Sequence, residues 1–176
     1  GMIYWYTNTL NLADIAEILR SKNDFNIIKF CQLMFIAGFG LKAAIMPFHG
    51  WLPDAHSSAP SPISSMLSGV VIKVAGLYVI FRLFFNMFLI TYDIALVLAA
   101  IGTLSMIVGV FLAIGQWDFK RLLAYSSISQ IGYIVLGISL GMMILAKGGD
   151  KSLAVLAIFG GLFHLINHAV FKGLLF

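Results

Sequence analysis

The sequence contains little charge, one cysteine and few prolines. Only 10% of its 176 residues are charged, and the lysines and arginines are scattered, so the formal net charge of +4 offers no basic block for nucleic acid. The single cysteine, Cys31, excludes an internal disulfide and a cysteine-ligated iron–sulfur cluster, and it is expected to be a small apolar side chain within a helix. The four prolines all fall between residues 47 and 62. The sequence offers no group for redox chemistry, and no cofactor or metal is expected in this chain.

Apolar residues dominate the rest of the sequence. They make up 61% of it, the mean hydropathy is +1.00, and several runs reach the roughly 18–20 residues that span a hydrocarbon core. The runs are continuous rather than alternating, which indicates helices. The composition therefore predicts an all-α, polytopic transmembrane helix bundle in a lipid bilayer. The spans are expected at about 27–46, 61–85, 92–116 and 122–145, with a fifth that begins near residue 152.

Residues 1–26 are expected to form a polar, interfacial connector. They contain no uninterrupted apolar core and no small-residue cleavage site, so no cleavable signal peptide is predicted. Asn11 is the expected N-cap of a short amphipathic helix. Its apolar face is predicted to consist of Leu12, Ile15, Ala16 and Leu19. The first residues are typical of the end of a helix and the chain stops within the apolar run FKGLLF, so a fragment of a longer polypeptide is expected.

The prolines mark a break in the first span. Pro47 removes a backbone donor, and the segment 48–59 that follows carries His49, Asp54 and His56. Irregular backbone at membrane depth is tolerated only where it is buried in protein or lines a hydrated cavity. The segment is therefore either the second half of a helix that is discontinuous near residues 42–59, or a loop at one end of the bundle. Discontinuous helices recur at the ion sites of transporters.

Lys42 and Lys73 lie inside apolar runs, Lys42 shortly before the break and Lys73 near the middle of the second span. A lysine at bilayer depth is costly unless it pairs, reaches water or loses its proton. Packing does not explain two such residues on successive helices, so both are predicted to belong to a proton path. Arg82 lies nearer the end of its span and is expected to reach the interface as an anchor.

The fifth span places two histidines and a lysine on one side of a helix. His164, His168 and Lys172 are four residues apart, which keeps them along one face. Imidazole exchanges protons near neutral pH, so the pattern favours proton transfer over core packing. The fourth span begins with hydroxyl and amide side chains, which either support a water chain or join helices by hydrogen bonds. The predicted auxiliary residues of the path are His49, His56, Tyr125, Ser129 and Gln130.

Three blocks of the sequence, in this order, resemble one family of membrane proteins. They are KAAIMPFHGWLPDAHSSAPSPISSMLSGVVIK (42–73), DFKRLLAYSSISQIGY (118–133) and HLINHAVFKGLLF (164–176). Together they are similar to the antiporter-like, proton-translocating subunits of respiratory complex I, of group 4 membrane-bound hydrogenases and formate hydrogenlyases, and of Mrp Na⁺/H⁺ antiporters.

The resemblance implies a bundle of about fourteen helices built from two inverted five-helix repeats, each with a broken helix. Residues 27–86 are then the end of the first repeat, and residues 87–176 are the start of the second. Lys42 corresponds to the lysine of the broken helix, and Lys73 to the connecting lysine on the next helix. The family's His-x3-His-x3-Lys face corresponds to His164, His168 and Lys172. The family's partner glutamate, on an earlier helix, and its second broken helix are not in this sequence, so these residues alone are not expected to carry an ion across the membrane.

The resemblance also implies a function. The chain is expected to translocate protons as a non-redox subunit of an NADH:quinone oxidoreductase-like or hydrogenase complex. Its expected partners are other membrane subunits, including antiporter-like homologues, and peripheral redox subunits. Its expected location is the cytoplasmic (inner) membrane of a prokaryote. The alternatives are a secondary Na⁺/H⁺ antiporter of the Mrp type, a haem- or quinone-binding membrane anchor, and a purely structural bundle.

The charges leave the orientation open. If the broken segment crosses the membrane, one side carries Arg20, Lys22, Lys147 and Lys151, and the other carries Lys120 and Arg121. A positive-inside count places the first group in the cytoplasm. The resemblance places the DFKR turn there instead, and it is preferred because the loops are short.

Overall fold

The computed structural model describes residues 1–21 and 25–176, and the regular elements in these ranges are helices, as predicted. Lys22, one of the charges considered for the orientation, lies outside the described residues. The helices are Met2–Thr7 (α1), Leu12–Ser21 (α2), Phe25–Ala43 (α3), Trp51–Ser58 (α4), Ser61–Met87 (α5), Tyr92–Ile114 (α6), Phe119–Ala146 (α7) and Lys151–Leu175 (α8).

Five of these helices, α3 and α5 to α8, are long and apolar enough to cross a membrane. This confirms the predicted polytopic bundle. The polar turns before α7 and α8 supply the caps of those helices. The side chains of Asp118 and Asp150 accept hydrogen bonds from the backbone N–H groups of Lys120 at 2.9 Å and Ser152 at 2.8 Å.

Helix α2 is the short amphipathic helix that the sequence predicts. The side chain of Asn11 accepts a hydrogen bond from the backbone N–H of Ala13 at 3.1 Å, which confirms the N-cap. Leu12 is 56% exposed, so its assignment to the apolar face was wrong. It lies in the first turn, which the end of α5 (83–87) leaves uncovered. The residues of α2 that are buried are Ile15, Ala16 and Leu19.

Helix α5 is continuous but is wound partly as π-helix. The wide turns cover Leu67–Val71, Lys73–Tyr78 and Leu83–Met87. Such turns inside α-helices often occur at functional sites. Here Lys73 begins the middle π-turn, and its ammonium group donates a hydrogen bond to the carbonyl of Ser68, which precedes it by five residues.

Helix α7 lies at the centre of the bundle, between α6 and α8. Glycines bring the three backbones together. A Cβ atom on Gly132 would lie 2.5 Å from the backbone nitrogen of Met106 in α6, and one on Gly141 would lie 2.5 Å from the side chain of Ile158 in α8. Small residues permit this close packing of membrane helices. Cys31 is buried in α3, as expected for an apolar side chain.

The first span is discontinuous, as predicted. Helix α3 ends at Ala43, Ala44 has a positive φ of 54°, and α4 begins at Trp51. The close contact of the end of α3 with α5 requires a glycine. A Cβ atom on Gly76 would lie 2.6 Å from the Cβ atom of Ala43.

The broken segment crosses the bundle from one end to the other. Near the start of α3, Lys29 forms an ion pair with Asp93 at the start of α6. In α4, Asp54 forms an ion pair with Arg121 at the start of α7. Since α6 spans the bundle between these two contacts, the start of α3 and helix α4 lie at opposite ends. The break lies between them at mid-depth, where the backbone N–H of Met46 donates to the hydroxyl of Ser105 in the middle of α6 at 2.9 Å. The structure thus excludes the alternative of a simple end loop, whereas the division of the chain into repeats at residues 86 and 87 stays a prediction.

Candidate functional site

Two lysines are buried where α5, α7 and α8 meet. Lys73 in α5 is 1% exposed, and Lys172 in α8 is 2% exposed. Lys73 donates a hydrogen bond to the carbonyl of Ser68. The hydroxyl of Ser68 in turn lies 3.2 Å from the hydroxyl of Ser127 in α7. Ser68 therefore connects the first buried lysine to α7.

Lys172 is bound to the same part of α7. Its Nζ donates hydrogen bonds to the carbonyl of Leu123 at 2.8 Å and to the hydroxyl of Ser126 at 2.7 Å. The hydroxyls of Ser126 and Ser127 also donate to the Leu123 carbonyl, each at 2.9 Å. Hydrogen bonds from a charged donor are stronger than neutral ones. The Leu123 carbonyl thus accepts a hydrogen bond from Lys172 directly. It accepts another from Ser127, whose hydroxyl pairs with that of Ser68, the residue that Lys73 contacts.

The sequence pattern placed Ser126 and Ser127 among the hydroxyls that either support a water chain or join helices, and it did not select them or Ser68 as residues of the path. Of the α7 residues that it selected, Ser129 donates a hydrogen bond to the carbonyl of Met106 at 3.0 Å and so joins α7 to α6. The ring of Tyr125 lies 6.4 Å from the ring of the half-buried His49. Ser126 and Ser127 stand in the same SSIS run as Ser129. Which of them meets a lysine depends on the rotation of α7, which the sequence pattern does not show.

The histidines of α8 extend the cluster along the helix. Nε2 of His164 is hydrogen-bonded to Oε1 of Gln130 at 2.7 Å. The rings of His164 and His168 are stacked with centroids 6.2 Å apart. His168 is fully buried, and its ring nitrogens have no hydrogen-bond partner among the described residues. The predicted face of His164, His168 and Lys172 is therefore present. Two stacked rings on one helix do not suit opposed axial ligation of a haem.

Lys42 lies apart from this cluster. It is on the exposed side of the last turn of α3, in an apolar groove of about 480 Å³ that Trp51, Val71 and Ile72 help to line. Of the two lysines predicted at membrane depth, Lys73 is thus buried and Lys42 is exposed within the part of the chain that the structure describes. The hydropathy of α3 does not reveal this, because α3 has almost no amphipathic asymmetry.

His56 is fully buried in α4. Its ring stacks on the ring of Phe176 in the last turn of the chain, with centroids 4.6 Å apart. The structure therefore places one of the two predicted auxiliary histidines of the broken segment beside Lys172, whose Nζ lies 5.8 Å from the centre of the same Phe176 ring.

The charges inside the cluster are of one sign. The positive charge of Lys172 acts on Lys73, and both lysines act on His168. The two ion pairs described above lie at the ends of the bundle. Among the described residues, no carboxylate forms an ion pair with a buried lysine. Like charges repel strongly in a low dielectric, so a proton on one lysine disfavours a proton on the other.

The described residues form no cluster of three or more histidine, cysteine, aspartate or glutamate side chains that is suited to a metal ion. The chemistry of the site is therefore that of amines, imidazoles and hydroxyls. These groups donate and accept protons.

Comparisons with known proteins agree on one family. A family model described as "NADH:quinone oxidoreductase/Mrp antiporter, TM" matches residues 1–176. NADH-quinone oxidoreductase subunit N of Desulforudis audaxviator is 36% identical over 179 residues, which cover 100% of this chain and 33% of that protein. Hydrogenase-4 component B of Escherichia coli is 42% identical over 147 residues, which cover 82% of this chain and 22% of that protein. The chain thus spans one third or less of the length of these relatives.

The fold leads to the same family. The chain is similar to a subunit in the structure of the Mrp complex from Dietzia sp., with a TM-score of 0.79 and 26% identity over 98% of this chain and 29% of that one. The match includes the discontinuous segment and the four spans that follow it. Sequence and fold together show that the chain belongs to the NADH:quinone oxidoreductase/Mrp antiporter transmembrane family, as an integral membrane subunit of the antiporter-like kind.

Proposed function

We propose that this chain carries part of a proton path, and that the path follows α7 between Lys73 and Lys172. The observation that supports this most is the hydrogen-bonded connection between the two buried lysines. Lys73 donates to the Ser68 carbonyl, and the Ser68 hydroxyl pairs with that of Ser127. The Ser127 hydroxyl and Lys172 both donate to the Leu123 carbonyl, and Lys172 also donates to the Ser126 hydroxyl. A structural role alone does not require two amines in an apolar interior, because burying a charge is costly.

Electrostatic repulsion couples the protonation of the two lysines. When Lys73 holds a proton, its charge disfavours a proton on Lys172, and the reverse also holds. A change of charge at one lysine therefore drives the release of a proton at the other. The carbonyls of Ser68 and Leu123 only accept hydrogen bonds, so transfer between the lysines uses water molecules. The serine hydroxyls suit such water, since each hydroxyl both donates and accepts a hydrogen bond.

Lys42 and the histidines of α8 extend the path at its two ends. Lys42 lies at the surface of the described chain, where a carboxylate from another part of the assembly can reach it through the apolar groove. His168 and His164 continue the path along α8, from Lys172 towards Gln130. The sequence resemblance supports these roles for all three residues.

The proton movement is coupled to a reaction in other subunits. Relatives of this chain are named as subunits of an NADH-quinone oxidoreductase and of a hydrogenase. We infer that this chain works with other antiporter-like membrane subunits and with peripheral redox subunits, in a prokaryotic cytoplasmic membrane. It contributes no cofactor of its own.

A second candidate function is secondary Na⁺/H⁺ antiport, which the similarity to the Mrp complex favours. Sodium requires several oxygen ligands, whereas the buried cluster presents the ammonium groups of two lysines and the rings of His164 and His168. The contents of the cluster therefore favour protons as the ion carried by this part of the chain.

The test uses the intact assembly in inverted membrane vesicles, with proton and sodium uptake followed together. Lys73→Met removes a buried charge and leaves an apolar side chain of similar length, so assembly is expected to persist. Lys151→Met, at the exposed start of α8, is the matched control. We expect redox turnover to drive proton uptake in the control and not in Lys73→Met.

Two results contradict the proposal. Wild-type proton uptake by Lys73→Met shows that the buried lysine is structural. Uptake that needs an opposing sodium gradient and no electron donor shows that the chain belongs to an antiporter.

A further inference from the structure

The connection between the buried lysines does not include His56, although His56 is one of the most buried polar residues of the chain. Its side chain is completely buried in α4. The hydroxyl of Ser64 donates to the backbone carbonyl of His56 at 3.3 Å, so this contact leaves the ring unused. Neither Nδ1 nor Nε2 of His56 has a hydrogen-bond partner among the described residues.

The surroundings of the His56 ring are aromatic and positively charged. The ring stacks on Phe176 with an interplanar angle of 19°. The positive charges that act on it come from α8, α7 and α5, and on α4 itself the carboxylate of Asp54 pairs with Arg121. Those charges belong to Lys172, Lys120 and Lys73.

Packing alone does not explain an imidazole at this position. Buried polar side chains nearly always have a hydrogen-bond partner, and one that has none calls for a reason such as a catalytic role or a bound water molecule. A phenylalanine would stack on Phe176 equally well and would bury no ring nitrogen. The nitrogens of His56 thus serve a purpose other than the stacking.

The position of His56 suggests that purpose. On one side, Phe176 contacts both the His56 ring and the ammonium of Lys172. On the other side, the carbonyl of Ala59, one turn further along, accepts a hydrogen bond from Lys120 at 2.7 Å. Lys120 and its neighbour Arg121 lie at the end of the bundle where α7 begins. His56 therefore lies between the buried lysine and that end.

We propose that His56 is a further proton-carrying residue, which exchanges a proton with Lys172 through water and so opens the path towards the end of the bundle at Lys120. In this step the His56 imidazolium releases a proton and becomes an imidazole, and the Lys172 amine takes it and becomes an ammonium. The net charge of the pair is unchanged. The second half of the broken helix thus serves as the entry of the path from that end. This inference rests on the proposed function.

The experiment compares His56→Phe, His56→Gln and Lys73→Met in the intact assembly, with Lys151→Met as the control. His56→Phe keeps the ring stacking and removes both nitrogens, while His56→Gln keeps a polar side chain that does not carry a proton. Thermal stability of the detergent-extracted complex reports on assembly. Proton uptake in inverted vesicles at several pH values reports on the path.

We expect His56→Phe to assemble at least as stably as the wild type and to lose proton uptake by about a hundredfold or more, in the range of a positioned proton donor. If His56→Phe does not assemble, the same loss is expected of His56→Gln. Wild-type uptake and an unchanged pH profile in an assembled His56 variant, with uptake lost in Lys73→Met, would overturn this inference and leave the proposed function in place. Wild-type uptake in both His56→Phe and Lys73→Met would overturn both.

Discussion

Ser126→Ala tests whether the hydroxyls of α7 take part in proton movement. The Ser126 hydroxyl accepts one of the two hydrogen bonds that Lys172 donates, at 2.7 Å, and it donates to the carbonyl three residues earlier. A hydrogen bond to a charged group contributes about 1.5–3 kcal/mol. Since about 1.4 kcal/mol corresponds to a factor of ten, and a water molecule can replace part of the lost contact, we expect a loss of proton uptake of about tenfold.

Ser139→Ala is the matched control. Ser139 is another serine of α7, and its hydroxyl donates to the carbonyl of Leu136, three residues earlier, at 2.9 Å. The two substitutions remove the same group from the same helix, so the loss of the hydroxyl and of its hydrogen bond within α7 is matched. They differ in the contact with Lys172. Proton uptake is measured in inverted vesicles under redox turnover, and equal uptake in the two variants would show that the serine next to Lys172 only joins helices.

Two further predictions concern the packing and the start of α7. Gly132→Ala places a Cβ atom 2.5 Å from the backbone nitrogen of Met106, so it is expected to destabilise the complex by about 1–3 kcal/mol. The control Gly160→Ala meets nothing within 4 Å and is expected to leave the melting temperature unchanged. Equal melting temperatures of the two variants would contradict the close packing of α6 and α7. Asp118→Ala removes the side chain that accepts a hydrogen bond from the Lys120 backbone and is expected to lower the stability of the start of α7 by about 1 kcal/mol. Asp118→Asn keeps an acceptor and is expected to lower it less. Limited proteolysis of the turn before α7 measures both effects, and equal cleavage of the two variants would argue against the cap.

Much of the fold was predictable because lipid imposes simple rules. Each spanning helix needs a long apolar run, so the five spans and the polar turns between them follow from hydropathy. The break after Lys42 follows from proline chemistry, and the face of His164, His168 and Lys172 follows from the period of the α-helix. The cap of α2 at Asn11 follows from the same local rules.

The details of the site were less predictable. Ser126 and Ser129 differ by three positions in one helix, yet one contacts Lys172 and the other contacts α6. Lys42 and Lys73 both lie in apolar runs, yet one is exposed and the other is buried. Hydropathy does not separate these cases, because spanning helices in this chain are apolar on nearly every side.

The sequence by itself determined the family, the number and order of the spans, the break in the first span and the basic face of α8. Each of these depends on local composition and spacing, which a single helix carries in its own residues. Tertiary structure decided which side chains meet at the centre of the bundle. The rotation of α7 brings its serines to the two buried lysines, and the crossing of α4 places His56 beside Lys172. These contacts join residues that are far apart in the chain, and they are set by the close packing of helices at glycines such as Gly132.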